Sequence, residues 1–205
     1  ACAREDVPGV MISASHNSYE DNGLKVFGPG GRKLTDSGQA RLEAEIGELL
    51  AGEGHRGPTG DRVGTPVVDD SAVDAYVESV IAATEGRRLD GLHVVVDCAN
   101  GSNSAIAPDA LRRLGARVDA ICTEPDGTNI NAACGSTDPR ALSRAVVDSG
   151  ADVGIAFDGD ADRMVAVDHL GASVDGDQVI ALCATDLARR GQLAGDTVVV
   201  TVMSN

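Results

Sequence analysis

Tryptophan is absent from this 205-residue chain, and two Tyr and two Phe are all of its aromatic residues. That leaves no set of rings on which nucleic-acid bases could stack. Positive charge is also scarce: 17 Lys and Arg stand against 32 Asp and Glu, and a net charge of −15 repels nucleic acid and anionic membranes alike. An anionic small substrate would then need cations gathered locally. No apolar run reaches the roughly 18 residues of a membrane helix, and no secretory signal pattern opens the sequence. The five cysteines, Cys2, Cys98, Cys122, Cys134 and Cys183, are odd in number and show no C-x-x-C spacing. This argues against a disulfide framework or a zinc site, and for reduced, mostly buried thiols in a cytoplasmic protein.

What is present is an α/β texture. Residues 9–15 read as a buried strand entering a loop dense in turn formers, and Leu24–Phe27 as a second strand broken by Gly28-Pro29-Gly30-Gly31. Helical spacing follows over residues 36–51, with Asp36 or Ser37 as cap, and over 71–84; the polar stretch 52–64 between them reads as an exposed connection. From Gly86 the pattern becomes a regular alternation. Strands are expected at 93–97, 117–121, 153–157, 164–167 and 197–202, and helices at 104–114, 138–149 and 175–190. The expected fold class is therefore α/β, in two layered domains with a boundary near residue 86. The turn Cys98-Ala99-Asn100-Gly101 has one glycine where a dinucleotide-binding fingerprint needs three, so it reads as an ordinary Asn-Gly turn.

The densest chemistry lies in residues 154–163, Gly-Ile-Ala-Phe-Asp-Gly-Asp-Ala-Asp-Arg. A short apolar run delivers Asp158, Asp160 and Asp162 at alternate positions into a glycine-containing turn. Ionised a few ångströms apart in a shielded pocket, they repel one another unless a cation sits between them or protons are taken up. Three hard oxygens without sulfur or imidazole select Mg²⁺. A calcium loop of the EF-hand type fails, because its sixth position, which needs Gly, is Arg163 and its twelfth, which needs Glu, is His169. The bland alternative is a solvated acidic turn, against which Arg163 argues: a guanidinium beside a metal holds a phosphate that the metal also touches.

A second cluster, Ser15-His16-Asn17 followed by Lys25, offers a hydroxyl, hydrogen-bond donors and an ammonium, although a lone Ser-His pair is more often a strand-ending turn. Taken together, Ile12–Asn17, Asp21–Lys25 and Asp158–Arg163 resemble the α-D-phosphohexomutase superfamily. Asp126–Asn131, Cys134–Thr137, Val174–Gln178 and Met203-Ser204-Asn205 are similar to its phosphoglucosamine mutase branch.

The resemblance implies interconversion of glucosamine 6-phosphate and glucosamine 1-phosphate through a phosphoserine and a glucosamine 1,6-bisphosphate intermediate, towards UDP-N-acetylglucosamine and the cell wall. It implies that Ser15 is the phosphoserine, that Asp158, Asp160 and Asp162 hold Mg²⁺ with a Ser15 phosphate oxygen, that Lys25 is a general acid/base, and that His16 and Arg163 steady the phosphate. The implied partner is a phosphosugar, with neither nucleic acid nor membrane, and with a homodimer left open. The implied domains are a partial domain I over 1–86, a domain II over 87–195 and the first strand of a domain III over 196–205. The family's amino-terminal strand, its sugar-reading Glu-x-Ser loop and its carboxy-terminal phosphate-binding domain are not in the sequence, so the chain reads as a fragment that is inactive alone. Ser18 stands where the family usually has Pro, which frees that loop's φ. Another phosphohexomutase activity, a metal-dependent phosphatase with an Asp nucleophile, and a non-catalytic remnant are the alternatives.

Overall fold

The computed structural model of the chain describes residues 2–52, 57–69 and 71–204. Residues 53–56 of the expected 52–64 connection, the Cys2 side chain and Asn205 of the Met-Ser-Asn motif lie outside the described residues. The chain divides into two compact units: Ala1–Ser13 with Gly23–Tyr76, and Ala14–Asn22 with Val77–Asn205.

The first unit opens with a helical turn, α1 (Cys2–Glu5). A three-stranded antiparallel sheet follows, β1 (Gly9–Ser13), β2 (Gly23–Gly28) and β3 (Arg32–Lys33), in that order. Gly30 and Gly31 turn the chain between β2 and β3 at φ of 75° and 71°, a left-handed region that glycine enters without strain. The long helix α2 (Asp36–Ala51) is capped one residue earlier than expected: Thr35, not Asp36 or Ser37, accepts from Gly38 N at 3.2 Å. The strand expected to be buried over 9–15 is instead largely exposed and ends at Ser13, with Val10 at 62% and Ile12 at 72% exposure. A three-stranded sheet with one helix beside it has too little mass to cover both faces.

Helix α3 (Ser71–Ala82) contains the change of unit, and the second unit has a core. Its sheet comprises β4 (His93–Asp97), β5 (Arg117–Ile121), β6 (Val153–Phe157), β7 (Met164–Asp168) and β8 (Ser173–Val174), in the order β5-β4-β6-β7-β8. The first three are mutually parallel, while β7 and β8 return antiparallel. β4 carries three β-branched residues, Val94, Val95 and Val96, between His93 and Asp97, and is buried throughout, as a strand covered on both faces must be. Neighbouring residues of a strand point to opposite faces. Val95 accordingly packs with Leu142 and Val146 of α5 (Arg140–Ser149), and Val96 with Ala107 of α4 (Ile106–Arg113). Each such burial contributes about 1.5–3 kcal/mol.

Two further expectations change. Helix α6 (Gly176–Arg189) has the expected start, Asp175 forming a capping box with Gln178. The strand expected at 197–202, however, forms no ladder among the described residues; Val198 and Val199 lie beside α6 residues Val179 and Ile180, and a turn follows at Thr201. An apolar β-branched run becomes a strand only where an edge accepts its hydrogen bonds. Of the thiols, Cys98 and Cys134 are buried and Cys122 is half-buried, but Cys183 is exposed on α6. Burial, with Asp97 beside it, pushes Cys98 up to about 12 and raises Cys122 and Cys134 as well.

Candidate functional site

The order β5-β4-β6 contains a reversal. The chain leaves β4, crosses one face by α4 to β5, then crosses the other face by α5 to β6 on the far side of β4. Connections on opposite faces open a crevice beyond the carboxyl ends of the two strands where they diverge, the usual ligand position in such sheets. Asp97 closes β4 opposite Ala156, and Asp158 is the first residue after β6. The acidic loop thus stands at this reversal, as the tight turn between antiparallel β6 and β7.

Within the loop the three carboxylates differ in exposure. Asp158 is fully buried, Asp160 is half-buried and Asp162 is exposed, yet one oxygen from each lies within 4.8 Å of the others. Asp158 Oδ1 accepts from Arg163 N at 3.2 Å; its Oδ2 is buried without a hydrogen bond, with Arg163 Nε 3.9 Å away. Burial first, and then the charges of Asp160 and Asp162, push the Asp158 carboxyl above its usual value against the pull of the Arg163 N–H. A buried anionic oxygen without a donor, beside two more carboxylates, fits a hard divalent cation with oxygen ligands. Arg163 Nε is also 3.8 Å from Asp162 Oδ1, and its half-exposed guanidinium has further N–H groups for an anion.

Glycines bring the Ser15 loop to this turn. A Cβ on Gly159 would meet Ser15 O at 2.5 Å, Ile130 Cδ1 at 2.6 Å and Asn131 Nδ2 at 2.9 Å, so only glycine lets the acidic loop lie against Ser15. On its other side a Cβ on Gly101 would strike the Gly159 carbonyl, which accepts from Ser102 N at 2.9 Å. Asn131 Nδ2 donates to Ser15 O and to Asn17 O, both at 2.8 Å, and fixes the loop from below. Ser15 itself sits at φ 52°, as do Ala99, Asn100, Asn131 and Ala161 within a few degrees to either side of it. For non-glycine residues each such conformation costs about 1–3 kcal/mol, held by the surrounding packing.

Ser15, His16, Asp158, Asp160, Asp162 and Arg163 therefore share the second unit, whereas Lys25 belongs to the first, exposed on β2 opposite Met11. Asn131 and Gly159 carry positioning roles that the sequence did not assign: both stand inside motifs rich in Asp, Gly and Asn, but nothing in that composition says which amide turns inward.

Two family descriptions match the chain: phosphoglucomutase/phosphomannomutase alpha/beta/alpha domain I over residues 3–51 and domain II over residues 74–171. Among curated relatives, phosphoglucosamine mutase of Symbiobacterium thermophilum is 53% identical over 197 residues, and that of Ruegeria pomeroyi 54% over 198. In both cases the alignment takes in 96% of this chain, which spans 43% of the relative's length. Among solved structures, a phosphoglucomutase/phosphomannomutase family protein of Burkholderia thailandensis matches 90% of this chain, and 38% of its own, with TM-score 0.65 and 25% identity. Aspergillus fumigatus N-acetylphosphoglucosamine mutase, solved with GlcNAc-6P and magnesium, shares the fold at TM-score 0.53 and 22% identity, over 95% of this chain and 51% of its own. With both descriptions matched, and with a serine loop and an acidic loop held together by Gly159 and Asn131, the chain belongs to the phosphoglucomutase/phosphomannomutase family.

Proposed function

We propose that this chain supplies the phosphoserine loop and the metal loop of a phosphoglucosamine mutase, which interconverts glucosamine 6-phosphate and glucosamine 1-phosphate. The observation that carries the proposal is the close approach of Gly159 to the Ser15 carbonyl, which sets a candidate phosphoryl carrier beside three carboxylates. In domain terms the proposal assigns residues 1–86 to domain I, 87–195 to domain II and 196–205 to the start of domain III.

In this reading Ser15 carries the phosphoryl group. The bond from phosphorus to Ser15 Oγ breaks as one forms to the free 1-hydroxyl of glucosamine 6-phosphate, and Lys25 takes the hydroxyl proton. The product is glucosamine 1,6-bisphosphate. After it turns round, its 6-phosphoryl group returns to Ser15, and Lys25 gives the proton back to the departing 6-oxygen. His16 and Arg163 orient the moving group by hydrogen bonds. Asp158, Asp160 and Asp162, with an oxygen of the Ser15 phosphate, would hold Mg²⁺, which neutralises charge on the equatorial oxygens. Phosphoryl transfer asks little else of a protein than such positioning and neutralisation.

The test is mass spectrometry of the purified chain. One phosphate is expected, at Ser15, lost in Ser15→Ala and kept in Ser13→Ala. A phosphate on Asp158, or one retained in Ser15→Ala, would replace the mutase reading by that of an aspartate-dependent phosphatase.

A further inference from the structure

A second cluster of donor atoms lies in the same sheet, outside the site described above. Asp97 ends β4 and is fully buried; its Oδ1 accepts from Ala99 N and its Oδ2 from Gly135 N, both at 2.9 Å. Cys122 is the first residue after β5, just beyond the pair Asp97↔Ile121, and Cys134 precedes the Gly135 turn. The fold brings together what the spacing in sequence did not suggest: one oxygen of Asp97 and the two sulfurs of Cys122 and Cys134 lie within 4.8 Å of one another.

We propose that Asp97, Cys122 and Cys134 form a binding site for a thiophilic divalent cation of the zinc class. A tetrahedral ion with sulfur at about 2.3 Å and oxygen at about 2.0–2.2 Å holds its donors roughly 3.5–3.8 Å apart. Side-chain shifts of about an ångström take the present arrangement there. A disulfide is a poorer fit, because it needs the sulfurs at about 2.05 Å and hence a larger movement of two residues fixed by tight turns. Charge points the same way. Asp97 meets two backbone N–H groups and the Cys122 thiol but, among the described residues, no positive partner, and a divalent cation that displaces both thiol protons supplies one at a net charge of −1. Asn100 Nδ2 lies 3.9 Å from Cys134 Sγ, an outer contact of the kind that steadies a sulfur ligand. Half-buried Cys122 leaves a side from which an ion and a water can enter.

The two sites differ in kind. Oxygens alone at Asp158, Asp160 and Asp162 select a hard ion, and two sulfurs with one oxygen select a softer one. They are nonetheless connected, since Cys122 and Cys134 are the two ends of the loop that carries Asn131, whose amide holds the Ser15 and Asn17 carbonyls. An ion across the loop ends clamps that loop, and with it the base of the Ser15 turn. The site stands whether or not Ser15 is a phosphoserine.

Cobalt(II), added to the reduced 205-residue chain in excess Mg²⁺, tests it. The expected result is one Co²⁺ per chain, with sulfur-to-cobalt charge-transfer absorption in the near ultraviolet and tetrahedral ligand-field bands in the visible. Both are lost in Cys122→Ser and unchanged in Cys183→Ser and Asp160→Asn. A second measurement needs no variant: at free Zn²⁺ ten times its dissociation constant, alkylation of Cys122 slows about tenfold, because about one chain in eleven is then unliganded. Failure of Co²⁺ to give a sulfur band at millimolar concentration, a band that persists in Cys122→Ser, or alkylation indifferent to Zn²⁺ each overturns the proposal.

Discussion

The two units of the chain use a similar α/β vocabulary to different ends. In the second, β4 is buried from His93 to Asp97, and Leu142, Val146 and Val167 have no exposed surface. In the first, no described residue is fully buried, and Leu24, Leu50 and Ile12 stand 68%, 84% and 72% exposed. The buried carboxylate of Asp158 and the left-handed Ser15 both lie in the unit with the core. Unfavourable local states persist only where many other contacts over-determine them. Lys25, an ordinary strand residue with a flexible ammonium, needs no such support and sits on the exposed sheet.

The largest effect should come from the core itself. Leu142→Ala removes a fully buried side chain that also contacts Gly154, and should destabilise the second unit by about 2–5 kcal/mol. Leu50→Ala, on exposed α2, should stay within about 0.5 kcal/mol. The chain has no Trp, so urea unfolding is best followed by far-ultraviolet dichroism, with hydrogen exchange at Val95 and Val167 reporting the second unit. Equal losses in both variants would mean that the contrast in burial does not translate into stability.

Metal should act next in size, and on the second unit only. Because Asp158 is raised above 3.8, the folded chain holds that proton more tightly than the unfolded chain does. The stability this group contributes is full below the unfolded value and is lost as pH rises through the raised folded one. At neutral pH without metal the carboxylate is therefore a liability, which Mg²⁺ reverses by about 2.7 kcal/mol at 100 times its dissociation constant. Asp158→Asn should make the metal-free chain more stable than wild type at pH 7, flatten the pH dependence and abolish the response to Mg²⁺. Thermal melts of wild type that superimpose with and without Mg²⁺ would remove the metal site from the comparison.

How much of this was legible in the sequence follows the same division. β4, β5, β6 and β7 announce themselves because strands buried between helices are short apolar runs with turn residues at each end. The clustering of Asp158, Asp160 and Asp162, with Arg163 beside them, was readable because one local turn brings all four together. Where partners are distant the sequence was mute. The exposure of β1 and the unladdered residues 197–202 depend on what covers or pairs with an apolar run, which the run does not encode. Asn131 reaches Ser15 across 116 residues, and Cys122 meets Asp97 only because β5 lies beside β4. Thr35 was missed for a smaller reason: Thr35, Asp36 and Ser37 are all capable caps, and backbone geometry chose among them.

That cap supplies the smallest prediction. No residue of α2 is buried, so its packing contributes little, and an isolated helix of 16 residues is marginal in water. The Thr35 hydroxyl satisfies Gly38 N, one of the four amides that a helix start leaves without partners. Thr35→Ala should therefore cost about 1 kcal/mol, and amides of residues 40–51 should exchange roughly fivefold faster. Thr35→Ser, which keeps the oxygen, should restore most of the protection. Asp175→Ala is the counterpart in the second unit, where the capping box of α6 loses its bond to Gln178 N at 2.8 Å. If Thr35→Ala speeds exchange at Val95 and Val167 as much as within α2, the units unfold as one body and local caps are felt throughout the chain. Exchange confined to α2 instead makes the first unit a separate, weaker element whose helix depends on its own ends.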